Sequence, residues 1–216
     1  MLCLCYTMIM KKAFILLFPQ KEYLGEETDI QLFNDCIKQR YLNNNYDFIV
    51  VRYRGSDLGI VGIKPTYVID ANISFKESSP YTTKDWKYAD FEYIANQVPI
   101  KNYNQIVIGG FHCFDCVEKL ANQIYKNTKN VIIDSDLTEM FWYASRFQKG
   151  WDIKSYNPEL KLQKVLSNDA ITFLVMLKTA KERYESPIWG ISQETICKLE
   201  NKIQVQIEDE NHTLNK

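Results

Sequence analysis

The chain has 216 residues, 46% hydrophobic and 25% charged, enough for one substantial core. Its 26 basic and 27 acidic side chains leave a formal net charge of -1, which excludes an overall electrostatic attraction to nucleic acid or to an anionic membrane surface. Six cysteines, scattered at positions 3, 5, 36, 113, 116 and 197, form no disulfide framework and point to a reducing, cytoplasmic compartment.

The opening "MLCLCYTMIMKKAFILLF" is apolar but broken by Lys11 and Lys12. It is too short to span a bilayer and lacks a small-residue cleavage site. "MKKAF" at Met10 has the look of a start, which makes residues 1–9 an upstream extension. The continuous apolar run 11–18, ended by Pro19, predicts a strand covered on both faces. Residues 26–45 place Ile30, Phe33, Ile37 and Tyr41 at helical spacing, with acids in the first turn and Asn43 to Asn45 as the stop. "YDFIVVRYR" (46–54) predicts a second buried strand, parallel to the first across the helix.

The next stretch, 55–86, is rich in Gly, Ser, Thr and Pro, as site loops are, with one strand expected at "TYVIDANISF" (66–75). Further on come a helix over 88–98, a strand over 104–110, a helix over 116–128 and a strand over 129–136. This alternation predicts a three-layer α/β/α domain with a mostly parallel, Rossmann-like sheet over residues 10–150. Helices are expected at 137–148 and 168–187, the first capped by Asp134 or Asp136. Residues 151–216 then form a helical C-terminal extension packed on the same domain, a surface for a homo-oligomer.

The segment "GGFHCFDCVEKLA" (109–121) sits where the strand over 104–110 enters a helix, at the edge where open α/β sheets bind ligands. A Cys in the first helical turn meets the positive end of the macrodipole and unpaired amides, which lower a thiol pKa and stabilise an oxyanion. That singles out Cys116, with the amides of the 111–116 turn as oxyanion donors, against the competing reading of a small buried hydrophobe. Cys113 and Cys116 also have the spacing of a thiol redox pair, though without the Trp and Pro surroundings of such sites. A zinc site on His112, Cys113 and Cys116 lacks a fourth ligand in a chain with two histidines, so neither metal nor cofactor is expected. Arg52 and Arg54, with Asp57, read as a solvated edge or an anion contact. Trp86, Trp142 and Tyr143 read as core or as pocket wall.

"GFHCFDCV" (110–117) resembles the nucleophile segment of the isochorismatase-like cysteine hydrolases, in which a strand ends at Gly and a Cys-Val pair follows. "VIIDSD" then sets Ser135 and Asp136 on the family's dipeptide, "KDWKYADF" resembles its Lys segment, and Gln20 and Tyr23 match its first-strand motif. The resemblance covers about residues 12–140 and implies an isochorismatase-like fold with a cis peptide at Phe111-His112. It also implies hydrolysis of a small molecule by Cys116, with Lys84 or else Lys87 as charge partner. Phe18, Gly110, Phe111 and Asp136 stand at ligand-contacting positions. The family's base, an Asp ending the first strand, is replaced by Phe18, which cannot take a proton. Three outcomes stay open: His112, Asp115 or Asp136 takes over, the helix dipole alone ionises Cys116, or the scaffold only binds a ligand or partner.

Overall fold

A computed structural model describes residues 11–24, 30–60, 62–79, 82–112, 115–139, 201 and 204. Five parallel strands make its sheet: β1 (Lys11–Leu17), β2 (Tyr46–Arg52), β3 (Tyr67–Asp70), β4 (Tyr103–Phe111) and β5 (Val131–Glu139). Their order is β3-β2-β1-β4-β5, so the chain winds outward from β1 in both directions. β1 is central, and Ala13 to Leu17 are wholly buried, which is why this strand reads as an unbroken apolar run. Each of the larger side chains, Phe14 to Leu17, contributes about 1.5–3 kcal/mol by leaving water.

Helix α2 (Ile30–Arg40) makes the crossover from β1 to β2 and buries Phe33, Cys36 and Ile37. Helices α4 (Phe91–Gln97) and α5 (Cys116–Asn127) pack on each other, α5 turning Val117, Leu120, Ala121 and Ile124 into the core. Two four-residue helices, α1 (Lys21–Leu24) and α3 (Phe75–Ser78), fill the loops after β1 and β3. The Gln20 carbonyl accepts from the amides of Tyr23 and Leu24 and so turns the chain into α1.

Two expectations are corrected. The strand expected over 66–75 stops at Asp70, because Ser74 caps α3 through a reciprocal pair of bonds with Glu77. The helix expected from Leu137 is instead the end of β5, where Thr138 and Glu139 pair with Gly110 and Phe111 after a register shift. Asp134 organises that shift: its carboxylate accepts from the Leu137 amide at 3.3 Å and its carbonyl from the Thr138 hydroxyl at 2.6 Å. The same carboxylate takes Arg40 Nη1 at 2.8 Å and the Tyr41 hydroxyl at 2.5 Å, tying β5 to the end of α2. The remaining C-terminal predictions, with Trp142 and Tyr143, lie outside the described residues, apart from Asn201 and Gln204, which are helical.

Gly110 fixes how closely β4 and β1 approach. It has φ +118°, and a Cβ there would stand 2.1 Å from the Leu17 carbonyl oxygen. Only glycine satisfies both conditions. The peptide after Phe111 is cis, at the bond the family resemblance implies.

Candidate functional site

In a doubly wound sheet the crevice opens beyond the carboxyl ends of the strands, where the winding reverses. Here that point lies between β1 and β4. A cavity of about 330 Å³ occupies it, bounded by Tyr23 after β1, Tyr53 after β2 and His112 after β4. Phe75, Trp86 and Tyr88 continue the aromatic wall. Its polar lining comes from Glu22, Ser78, Ser79, Asp115 and Cys116, besides His112.

Cys116 is the first residue of α5 and is 6% exposed. Asp115 occupies the N-cap position, where an Asp side chain ordinarily accepts a helix amide. It makes no such bond. Its carboxylate instead reaches the thiol, Oδ2 lying 3.8 Å from Cys116 Sγ, while Oδ1 accepts from Lys119 Nζ one turn on. Lys119 also lies 3.7 Å from the centroid of the Tyr88 ring. Thiol, carboxylate and ammonium thus come from five consecutive residues.

The electrostatics differ from the sequence-based expectation. Burial pushes the Cys116 thiol pKa up, and the adjacent Asp115 charge pushes the same way; Lys119 and a hydrogen bond with the His112 backbone only partly offset them. The helix dipole, worth about 1 kcal/mol, does not outweigh a desolvation cost of several kcal/mol for a buried thiolate. The resting thiol is therefore protonated. Burial alone would lower the Lys119 pKa, but the hydrogen bond and charge of Asp115 raise it on balance, so its ammonium persists. Two amides of the turn, those of Asp115 and Val117, are taken by the His112 carbonyl at 3.3 Å each. The Cys116 amide, in the first helical position, has no acceptor within the helix.

The opposite wall is a chain of hydroxyls. Tyr23 and Tyr53 face each other at 3.5 Å, and Tyr53 meets Ser78 Oγ at 2.9 Å. Burial pushes the Tyr53 phenol up to about 12 and that of Tyr23 higher, so both stay protonated and able to donate. Phe18 lies behind this wall, fully buried with its ring stacked 4.0 Å from that of Tyr53.

The structure brings together Cys116, Asp115 and His112, with Gly110 and Phe111 setting the turn beneath them. Lys84 is exposed and is not among the lining residues, nor is Lys87. Lys119 holds the place beside the carboxylate; its signal in the sequence was the four-residue spacing from Asp115 on one helix face. Asp136 lies in β5, and its side chain, like all of Cys113, is outside the described residues. Arg52 and Arg54 pair with Asp70 and Glu77 at the sheet edge, and Trp86 walls the cavity. Among the described residues no cluster of three or more His, Cys, Asp or Glu is placed to hold a metal ion, and no helix is long and apolar enough to cross a membrane.

No protein-family model matches the chain, and no curated protein matches it. Among solved structures, the chain is similar to the pyrazinamidase of Pyrococcus horikoshii in complex with zinc, at 11% identity and a TM-score of 0.43, over 63% of this chain and 90% of that one. It is also similar to an isochorismatase-like hydrolase from Alkaliphilus metalliredigens, at 14% identity and a TM-score of 0.42, over 68% and 94% of the two chains. Both similarities are of fold.

Proposed function

We propose that this protein is a cysteine-dependent hydrolase of a small molecule, with Cys116 as nucleophile, Asp115 as base and Lys119 as the charge that holds the base in place. One observation carries the reading: an N-cap Asp gives up its capping bond to lie between the thiol and an ammonium at a cavity. Because burial keeps the thiol protonated, the proton passes from Sγ to Asp115 Oδ2 as the bond from sulfur to the acyl carbon forms. The carbonyl electrons move onto oxygen, which the Cys116 amide receives. They then return to expel the leaving group with the proton from Asp115. Water attacks the thioester, giving a proton to Asp115; the intermediate collapses with cleavage of the carbon–sulfur bond, Asp115 returns the proton to Sγ, and the acid and the free thiol are released.

An activated ester such as p-nitrophenyl acetate tests this. Intact and peptide masses after a rapid quench are expected to show one acetyl group on Cys116, absent from Cys116→Ser. Acetyl on another residue, or none, rejects the nucleophile.

A second reading, a ligand-binding protein without turnover, is supported by Phe18 at the usual base position and by the raised thiol pKa. It predicts ligand binding with no acyl group on Cys116. Redox exchange, a third class, requires Cys113, which lies outside the described residues.

A further inference from the structure

The lining of the cavity has a charge character of its own. Five aromatic residues surround it, and several of their rings stand edge to face: Tyr23 to Phe75 at 5.5 Å, Tyr53 to Phe75 at 5.9 Å, Trp86 to Tyr88 at 5.2 Å. Aromatic faces are electron-rich and attract cations whose hydration is weak. Tyr88 already takes one, the Lys119 ammonium. The charged groups of the lining are two carboxylates, and among the described residues it carries no Lys or Arg. Asp115 is neutralised by Lys119, whereas Glu22 is exposed and forms no ion pair with any described residue. An anionic ligand would meet the Glu22 carboxylate with no lining Lys or Arg among the described residues to offset it. A neutral one would leave the negative character of the cavity unused.

We propose that the cavity selects ligands carrying a compact, weakly hydrated cation of the trimethylammonium or N-alkylpyridinium type, seated among Tyr23, Tyr53, Phe75 and Trp86 with Glu22 as counter-charge. The inference deepens the hydrolase reading and rests on it for the site: it gives the substrate a cationic head beside the bond that Cys116 attacks. Head-group recognition itself does not depend on the thiol.

Binding of choline, of its neutral isostere 3,3-dimethylbutan-1-ol and of benzoate to the full chain, followed by ligand-observed NMR titration, tests the proposal. Choline is expected to bind at least about tenfold tighter than either. Glu22→Gln and Trp86→Ala, both at exposed positions that leave folding alone, are expected to weaken choline several-fold; Glu22→Gln leaves the isostere unchanged, and Trp86→Ala, which also removes apolar contact from the isostere, weakens choline more than the isostere. Equal affinity for choline and isostere, tighter binding of benzoate, or choline binding unmoved by both substitutions overturns the proposal. Repeating the titration on Cys116→Ser separates the two readings. A cation preference there with no acyl group on the wild type rejects the hydrolase alone, and acylation of the wild type without the preference rejects the cation site alone.

Discussion

Replacing Asp115 by Asn removes a charge while keeping the shape of the side chain, and it moves two observables in opposite directions. Unit charges 3.8 Å apart interact by about 4 kcal/mol at an effective dielectric of about 20. Lys119 on the other carboxylate oxygen offsets much of this, and solvent screens a pair whose side chains are 35–37% exposed. About 1–2 kcal/mol remains, or roughly tenfold in thiolate population. The sign follows from the cause: the Asp115 charge raises the thiol pKa, so its loss lowers it. Iodoacetamide at neutral pH should therefore label Cys116 about tenfold faster in Asp115→Asn than in the wild type. Lys119→Met, which removes a lowering charge, should label more slowly. Turnover is expected to run the other way. Acetyl transfer from p-nitrophenyl acetate to Cys116 persists through the enlarged thiolate fraction, which needs no base, and through a leaving group that needs no proton, but hydrolysis of the thioester slows by about a hundredfold without a base for water. The acyl-enzyme then accumulates and can be followed by mass. Slower alkylation of Asp115→Asn would refute the sign, the carboxylate then aiding deprotonation of the thiol more than its charge opposes it. Undiminished deacylation would show that it is not the base.

Other consequences reach beyond the helix start. Gly110→Ala forces a Cβ to within 2.1 Å of the Leu17 carbonyl oxygen at φ +118° and should lower the unfolding free energy by about 3 kcal/mol or more, read from the denaturant midpoint. An unchanged midpoint would mean that β1 and β4 lie farther apart. Phe18→Asp, which puts a carboxylate where the resembled hydrolases carry their base, should cost about 3–5 kcal/mol and give no faster acylation, since it loses a ring stacked on Tyr53 and buries an unpaired charge. Full stability with faster acylation would refute this. The phenols of Tyr23, Tyr41 and Tyr53 all have pKa values raised by burial, so the folded state holds their protons more tightly than the unfolded chain does. Their contribution is complete below about pH 10 and is lost as pH rises toward 12 and above. Tyr41→Phe should flatten that alkaline decline in thermal melts, and an identical slope would argue against it.

What the sequence disclosed follows from how each part is held. β1, β2 and β4 were visible because a parallel strand covered on both faces must be apolar throughout, and α5 because Val117, Leu120, Ala121 and Ile124 recur with the helical period. The segment after β3 misled because its β-branched and aromatic residues run past the point where Ser74 and Glu77 close a helix cap. The end of β5 misled because Asp134 bonds the chain ahead of it without starting a helix. At the site, the spacing from Gly110 to Cys116 located the turn, but the direction of the thiol shift depends on how much water reaches the sulfur. Burial of one atom is a property of the whole fold. Lys84, suggested by family spacing, faces solvent, while Lys119 was hidden in what looked like an ordinary helix surface.

Under the proposed hydrolase reading, Phe18 stacked on Tyr53 changes how the chemistry depends on assembly of the domain. A catalytic set shared between β1 and α5 exists only when two distant segments dock in the correct alignment, and any slip between them abolishes it. With the proposed set drawn from Asp115, Cys116 and Lys119, the reacting groups acquire their relative positions as soon as one helical turn forms. The sheet then acts as wall and floor. Cavity-wall positions off the helix, such as the exposed Glu22 and Trp86, can then change what enters the cavity without disturbing the atoms that would act on it.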